Sequence, residues 1–389
     1  MSLEVRLGLY RELEQKRGRP LMVYVTSARQ GPGASGGIAG DAIGELLLQL
    51  TALPRGVEAL DLLIVSTGGD PTVAWRFVSL IRERVKNFAV LVPEAAFSAA
   101  TLIALGADEI VMHPHGNLGP VDPQIAGVHK KSGEQRPGPD QVRFGSEDLA
   151  AFLTFAREQV GLSDQDELFK VFELFCGDVG AVPIGVAARS AQLSLSMGEQ
   201  LLRLHMTDEG ETQKARAIAE ALSKKFYHHG YPLSRTEAKN IGLKVVHPDQ
   251  DVEDILGRIW SDIRDEMELR EPFQPPAIVA RNPACAALFA PAPLLQLPAN
   301  LPLPMVQQVM QNVLQQIQVV QVPPTPYTLI NALLESPRMA TRFITEGRIF
   351  ATRLPDLQLA IHILQERQCW RTLPIAVAAG VAGEAGGTQ

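Results

Sequence analysis

The sequence predicts an α/β fold with a largely parallel sheet. Short runs rich in branched apolar residues, such as LMVYVTS, LDLLIVS and FAVLVP, alternate with segments in helical spacing along the first 125 residues. Alternation of this kind favours parallel strands whose connecting helices cover the sheet. The chain has 389 residues, of which 46% are hydrophobic and 20% charged, so it is long enough to bury a full core.

The alternating elements can be placed in order along this first part of the chain. Strands are predicted at 21–27, 60–66, 88–93 and 109–112, with helices at 38–50, 71–85 and 98–107 between them. The helix at 71–85 opens with Pro71, and proline is favoured in the first turn of a helix because that turn needs no backbone donor. These four strands and three helices form the predicted core of the fold.

From residue 146 onwards the sequence predicts mostly helices. They are expected at 148–160, 184–206, 211–227 and 251–267, with a turn, a helix and a short strand in HHGYPLSRTEAKNIGLKVV. We predict a domain boundary near 270, which separates residues 1–270 from a mainly helical, Pro- and Gln-rich region, 271–389. Its segment 282–334 lacks Asp, Glu, Lys and Arg and contains a predicted amphipathic helix, which packs on its own domain or mediates self-association.

Composition narrows the class of protein. A net charge of −7 argues against nucleic acid as the main partner, since such a partner demands a basic face. Three widely spaced cysteines fit neither a disulfide framework nor a zinc site, and we expect no metal and no cofactor. The first 20 residues lack the apolar core of a signal peptide, and no window resembles a membrane span. We therefore expect a cytoplasmic protein without a stable membrane span.

The glycine-rich loop, residues 31–37 (GPGASGG), matches two motifs at once. It contains G-x-G-x-x-G, but four residues separate it from the strand end and Pro32 removes a donor that a phosphate would need. It also contains G-x-S-x-G around Ser35, although a nucleophile elbow turns directly from strand to helix. A surface loop is the favoured interpretation, and Ser35 is a secondary candidate for a nucleophile.

A stronger candidate site combines two neighbouring connections of the predicted sheet. Gly68 and Gly69 follow strand 60–66, and Ser98 follows the next strand and opens a helix. Parallel α/β sheets collect ligands at the carboxyl edge, where these residues are expected to meet. The two glycine amides could hold an oxyanion and Ser98 could attack a carbonyl. The alternative is a serine that caps the helix.

Three segments resemble a known family. The pattern VP-x-x-A-x-S-x-x-TLIALGADEIVM followed by LGPVDPQ, the turn TGGD and the segment HGYPLSRTEAKNIGLKV are similar to the serine dehydrogenase proteinase family. That family is related to signal peptide peptidase A and to the proteolytic subunit of Clp protease. The resemblance covers roughly residues 20–250. It implies a Clp/crotonase-like spiral of β-β-α units, Ser98 as nucleophile, a polypeptide substrate and a homo-oligomer.

The sequence departs from the family pattern near the nucleophile. Ala99 and Ala100 stand where the family usually has two glycines, and Thr67 stands where proline commonly precedes the glycine pair. Two added methyl groups could narrow the space for a substrate carbonyl. These departures keep open a catalytically inactive scaffold of the same fold. An acyl-CoA enzyme of the crotonase type is a second alternative.

The general base is left open between several residues. Signal peptide peptidase relatives use a lysine, and Clp proteases use a histidine with an aspartate. Asp122 lies close to the position of that histidine, and Lys130, Lys131 and Lys170 are lysines within reach along the chain. A catalytic lysine must be buried to be neutral near pH 7, and Lys170 is expected to be partly buried.

The function predicted from these features is that of a serine endopeptidase that cleaves unfolded or membrane-derived polypeptides.

Overall fold

The computed structural model describes residues 3–122, 125–128, 141–144, 146–224, 230–290, 302–316, 319–354 and 356–375. Its helices are α1 (Leu3–Arg17), α2 (Ala42–Thr51), α3 (Pro71–Arg84), α4 (Ala99–Leu105), α5 (Ser146–Glu158), α6 (Gln165–Val179), α7 (Ala181–Arg203), α8 (Glu209–Lys224), α9 (Arg235–Asn240), α10 (Gln250–Glu266), α11 (Pro275–Arg281) and α12 (Leu303–Gln316), with a 3-10 helix at Pro283–Phe289. Its strands are β1 (Leu21–Thr26), β2 (Ala59–Val65), β3 (Asn87–Val92), β4 (Ala95–Ala96), β5 (Glu109–Met112), β6 (Asn117–Leu118), β7 (Ile125–Val128), β8 (Gln141–Phe144), β9 (Leu233–Ser234), β10 (Val245–Val246), β11 (Val320–Gln321), β12 (Thr325–Glu335), β13 (Ala340–Arg353) and β14 (Leu359–Leu373).

A mixed sheet runs through the centre of the molecule in the order β10-β5-β3-β2-β1-β12-β13-β11, with β14 paired to β13. The strands from β10 to β1 are parallel, whereas β12 runs antiparallel to β1. A small second sheet, β4-β6-β9, lies beside the carboxyl ends of β2 and β3. The predicted α/β class is confirmed, and so are the four strands and three helices placed along the first 112 residues.

Helices cover both faces of the sheet, which explains the continuous apolar runs in its strands. All six residues of β1 are buried. Met22 and Tyr24 pack in a cluster with α2, α3, α4, α7 and α8. Val23 and Val25 point to the opposite face, where they pack against α1 and α10. The core therefore consists of two layers of side chains, one on each side of the parallel strands.

The C-terminal region differs from its prediction in the second half. Helices are present as expected between Pro275 and Gln316. From residue 320 onwards the chain instead forms β11 to β14, which corrects the expectation of a mainly helical region. The strand β12 extends the central sheet by pairing with β1, from Val23 opposite Glu335 to Thr26 opposite Ala332. The division at 270 stays a prediction, and this ladder ties the two parts of the chain together.

The helix α12 is the predicted uncharged amphipathic helix. Leu303, Met305 and Met310 are exposed. Val306 and Val309 are partly buried, and the other side chains that the structure describes between 302 and 312 are exposed. Packing on its own domain and self-association both stay predictions.

A buried ionic network joins α1 to the C-terminal strands. Arg6 is fully buried and donates to Glu335 Oε2 from Nε at 3.0 Å and to Oε1 from Nη2 at 2.9 Å. The Tyr10 hydroxyl donates to the same carboxylate at 2.8 Å, and Arg6 Nη1 also donates to Asp262 of α10 at 2.7 Å. Burial and the neighbouring carboxylate raise the pKa of Tyr10 well above its ordinary value. Three distant segments are thus joined through one guanidinium.

In the described ranges, no single helix is long and apolar enough to cross a membrane. The segments Gln165–Gly177 and Ala181–Arg203 meet the length and composition criteria only as a pair, bent by 95°.

Candidate active site

Ser98 has an unusual backbone for a non-glycine residue. Its φ is 52° and its ψ is −116°, a combination that L-amino acids rarely adopt and that often marks a functional site. Ser98 lies half-buried between β4 and the first turn of α4. Its side chain does not cap α4 and makes no hydrogen bond to any residue that the structure describes. A helix-capping serine is therefore not observed.

The glycine pair lies directly against this serine. A Cβ added to Gly68 would lie 2.7 Å from the Cβ of Ser98 and 2.9 Å from the Phe97 carbonyl oxygen. Gly68 also has a φ of 112° and Gly69 a φ of 153°, so both positions require glycine. The predicted meeting of the TGGD turn and Ser98 at the carboxyl edge of the sheet is thus present in the structure.

The two glycine amides differ in their hydrogen bonds. The N–H of Gly68 donates to Ser66 Oγ at 3.0 Å, and this hydroxyl also bonds to Thr26 Oγ1 at 2.7 Å. The N–H of Gly69 has no acceptor among the described residues, and the same holds for the N–H of Ala99 at the start of α4. The Gly68 N–H is thus bonded within the protein, whereas those of Gly69 and Ala99 have no acceptor among the described residues. Donation to an oxyanion by Gly68 and Gly69 stays a prediction.

The alanines after Ser98 leave this space open. Ala99 and Ala100 are 1% and 0% exposed, and their methyl groups belong to the core cluster on the α3–α7 side of the sheet. Both methyl groups therefore point into the core. They do not narrow the space for a substrate carbonyl in the way that the replacement of two glycines suggested.

Thr101 joins α4, the helix that begins directly after Ser98, to the segment that carries Asp122. Its buried hydroxyl lies 2.7 Å from the Ala96 carbonyl oxygen and 2.9 Å from that of Gly119, and it accepts from the Gly119 N–H at 3.1 Å. Gly119 in turn packs so closely on the Phe97 ring that a Cβ would approach it to 2.7 Å. The sequence alone does not indicate this role of Thr101, because a threonine in a short apolar helix carries no distinctive signal.

The candidates for a general base differ in how far their side chains are exposed. Lys170 is exposed on α6, which corrects the expectation that it is partly buried. Asp122 is half-buried three residues after Gly119. Lys130 and Lys131 lie outside the described residues, so their position relative to Ser98 stays open.

A titratable group that the sequence analysis passed over lies just before β4. Burial raises the pKa of the Glu94 carboxyl above its ordinary value, with Arg264 and His115 acting in the opposite direction. Glu94 precedes Ser98 by four residues, and its backbone oxygen accepts from the N–H of Asn117 in β6. Among the described residues, no group of three His, Cys, Asp or Glu side chains is placed to hold a metal ion.

The fold and the candidate site can be compared with those of known proteins. The chain has a mixed α/β fold in which a serine and a glycine pair meet at the carboxyl edge of the parallel strands. Residues 40–133, which include the glycine pair and Ser98, match the model of the ClpP-like SDH-type serine proteinase family. The predicted resemblance to the serine dehydrogenase proteinases is confirmed over this segment.

Two proteins with similar sequences come from Methanocaldococcus jannaschii. One uncharacterized protein of Methanocaldococcus jannaschii is 27% identical over 245 residues, which cover 62% of this chain and 73% of that protein. A second uncharacterized protein of the same organism is 25% identical over 52% of this chain, which spans only 56% of that relative's length.

The solved structures that align with this chain include a protease and an enoyl-CoA isomerase. A membrane-bound stomatin-specific protease, 1510-N, is 17% identical, with 60% of this chain and 82% of that chain covered and a TM-score of 0.34. An enoyl-CoA isomerase of M. smegmatis is also 17% identical, with 53% and 91% covered and a TM-score of 0.21.

Proposed function

We propose that the protein is a serine endopeptidase with Ser98 as its nucleophile. The observation that supports this most is the strained backbone of Ser98, whose hydroxyl makes no hydrogen bond to a described residue and whose Cβ lies against Gly68. Strain of this kind costs of order 1–3 kcal/mol and persists where the surrounding structure enforces it, commonly at active sites. The match of residues 40–133 to a serine proteinase family supports the same role.

In the proposed reaction, Ser98 Oγ attacks the carbonyl carbon of a peptide bond while a base takes its proton. The oxygen of the tetrahedral intermediate becomes negative and accepts hydrogen bonds from the N–H groups of Gly69 and Ala99. The amine then leaves with a proton, and water hydrolyses the acyl-enzyme by the same steps. Gly68 supports the site by its close approach to Ser98 rather than by donating.

The base is proposed to be one of the ionisable residues that follow Ser98 in the chain. Lysine acts as base in the signal peptide peptidase relatives. A lysine base must be buried to be neutral near pH 7, and Lys170 is exposed, so Lys130 or Lys131 is favoured. Asp122 is a further candidate, which needs a raised pKa to work near neutral pH. Single substitutions Lys130→Ala, Lys131→Ala, Lys170→Ala and Asp122→Asn are expected to identify it as the one that abolishes turnover without changing the melting temperature.

The test of the function compares two serine variants with the wild type. Ser98→Ala is expected to abolish cleavage of an unfolded protein and of an apolar synthetic peptide, the two substrate classes that we propose. Ser35→Ala is the matched control, because Ser35 is the exposed serine of the G-x-S-x-G pattern in the glycine-rich loop and is expected to keep full activity. Labelling with a fluorophosphonate, read as intact mass, should likewise require Ser98.

Four other outcomes would contradict the proposal. Equal activity in the wild type and Ser98→Ala would exclude Ser98 as the nucleophile, and loss in Ser35→Ala would transfer the role to Ser35. No cleavage and no labelling in any protein would favour the inactive scaffold. Binding of a CoA thioester without peptidase activity would favour the crotonase-type alternative. We also propose a homo-oligomer, which light scattering after size-exclusion chromatography tests directly.

A further inference from the structure

The position of the glycine pair depends on Ile38, which follows the glycine-rich loop. The Ile38 N–H donates to the Gly68 carbonyl oxygen at 2.8 Å, and the Ile38 carbonyl oxygen accepts from the Asp70 N–H at 2.8 Å. These two bonds enclose Gly69 in a parallel bridge. The approach is so close that a Cβ on Gly69 would lie 2.2 Å from the Ile38 oxygen. A shift of Ile38 would therefore move the amide that we assign to the oxyanion.

The glycine-rich loop, which directly precedes Ile38, is held by two buried side chains, Asn331 of β12 and Ser27; Ser27 Oγ donates to the Ala34 carbonyl oxygen at 2.7 Å. Asn331 is 1% exposed, and its Nδ2 donates to the carbonyl oxygen of Gly33 at 2.8 Å and to that of Ser35 at 3.1 Å. The backbone carbonyl oxygen of Asn331 accepts from the Ser27 N–H at 2.7 Å. A Cβ on Gly36 would lie only 2.0 Å from that oxygen, so the loop lies directly on the Asn331 backbone.

Asn331 is itself fixed by the neighbouring strands. Thr345 Oγ1 of β13 lies 2.7 Å from Asn331 Oδ1, and Gln368 Nε2 of β14 donates to the same hydroxyl at 3.1 Å. Carbonyl oxygens can only accept, so the nitrogen of the amide must face the loop and its oxygen must face Thr345. Both the nitrogen and the oxygen of the buried Asn331 amide therefore have hydrogen-bond partners, which fix a single orientation of the side chain.

We infer that Asn331 is a positioning residue for the peptidase site, acting through the glycine-rich loop and Ile38 on the Gly69 amide. The inference rests on the proposed function, and it assigns the C-terminal strands a part in the reaction. Its chain of contacts runs from Gln368 through Thr345 and Asn331 to the loop, and from Ile38 to the glycine pair. Supporting groups of this kind hold a reacting site to within a fraction of an ångström.

The experiment uses three variants of the full chain. Asn331→Ala removes the amide, and Thr345→Val removes the hydroxyl that orients it while keeping the shape of the side chain. Thr341→Val is the matched control, because Thr341 is a buried threonine on the same strand whose hydroxyl donates to the Leu334 carbonyl oxygen at 3.0 Å, with no bond to Asn331.

The kinetic readout separates positioning from a general loss of stability. We expect Asn331→Ala to lower kcat by about tenfold to a hundredfold with KM changed less than about twofold, since the loss concerns the transition state. Thr345→Val should lower kcat in the same direction by a smaller factor. Thr341→Val should leave kcat at the wild-type value, even if its melting temperature falls as far as that of Thr345→Val.

A second readout does not depend on activity. Hydrogen exchange followed by mass spectrometry reports the amides of Ile38 and Asp70 in peptides covering 34–46 and 66–75. We expect faster exchange in both peptides for Asn331→Ala and wild-type exchange for Thr341→Val. Thr345→Val keeps the two bonds from Asn331 to the loop, so its effect on exchange should lie between those of the other two variants. It replaces Asn331→Ala in the test if that variant does not fold.

Each outcome decides the inference. Wild-type exchange in both Asn331→Ala and Thr345→Val would overturn the inference. Equal losses of kcat in Thr345→Val and Thr341→Val would overturn it as well. If the wild type cleaves nothing, the proposed function fails, and the exchange comparison alone then decides whether Asn331 positions the glycine pair. Faster exchange with unchanged kcat would show that the loop moves without any effect on the oxyanion donor, which would also overturn the inference.

Discussion

The Gly69→Ala substitution is a direct test of the geometry around the glycine pair. The new methyl carbon would lie 2.2 Å from the oxygen and 2.5 Å from the nitrogen of Ile38, both of them backbone atoms. Ordinary contacts begin near 3.4 Å, so the two chain segments must separate by about 1 Å, a displacement that can cost a factor of about 100 in rate. We expect kcat to fall by about this factor, with a smaller change in KM.

The assay is initial-rate hydrolysis of a fluorogenic peptide, with the melting temperature measured on the same samples. Gly56→Ala is the matched control, because Gly56 has a φ of 76° but no atom within 4 Å of its would-be Cβ. It introduces backbone strain of about 1–2 kcal/mol without a collision. The reasoning would be refuted if Gly69→Ala kept kcat within about threefold of the wild type, or if Gly56→Ala lost as much activity.

Three further predictions concern stability. Glu335→Ala leaves the fully buried Arg6 without its bidentate partner, so the free energy of unfolding should fall by about 3–5 kcal/mol in urea titrations; a loss below about 1 kcal/mol would contradict a buried role for the pair. Burial lowers the pKa of His205, whose Nε2 bonds to a backbone oxygen at 3.0 Å, while Nδ1 is buried without a partner among the described residues. Its stabilising contribution is therefore present above its ordinary pKa of about 6.5 and lost as the pH falls through the lowered value; the wild type should lose stability relative to His205→Gln on acidification, and parallel pH profiles would exclude this. Thr101→Val removes the hydroxyl that joins α4 to Gly119 and should cost about 1–3 kcal/mol of unfolding free energy, measured by the same titration, whereas an unchanged midpoint would show that the bond is dispensable.

The parallel part of the fold was predictable because its strands are buried on both faces. Such strands are continuous apolar runs, and β1, β2 and β3 stand out between polar connections for that reason. The meeting of Gly68 with Ser98 was also predictable, since both follow neighbouring parallel strands at their carboxyl ends. Local pattern and topology were sufficient for these features.

The C-terminal strands were missed for a different reason. The uncharged segment 282–334 includes the helix α12 and all of β12 except Glu335, and the absence of charge hides the point at which the periodicity changes from helix to strand. The N-terminal helix α1 was missed because its charges, including the buried Arg6, resemble those of a solvated segment. Only the partner Glu335, far away in the sequence, explains why that arginine is inside the protein.

Details of the site also depended on contacts that a sequence does not encode locally. Lys170 was expected to be partly buried because it lies within DELFKVFELF, yet Phe169 and Phe172 of the same helix are exposed as well. The N–H of Gly68 was expected to face the substrate, but Ser66 Oγ lies within its reach two residues earlier. Asn331 acts on the loop only because β12 pairs with β1.

The pairing of β12 with β1 has a consequence for anyone who shortens this protein. A fragment ending before β12 would retain the family-matched segment 40–133, but the apolar strand LMVYVT would become an open sheet edge. Unprotected apolar edges recruit strands from other molecules and lead to aggregation. The same cut would leave the Arg6 guanidinium without the Glu335 carboxylate. A minimal peptidase fragment designed from family boundaries alone should therefore precipitate, and solubility would return only when the β12–β13 hairpin is included.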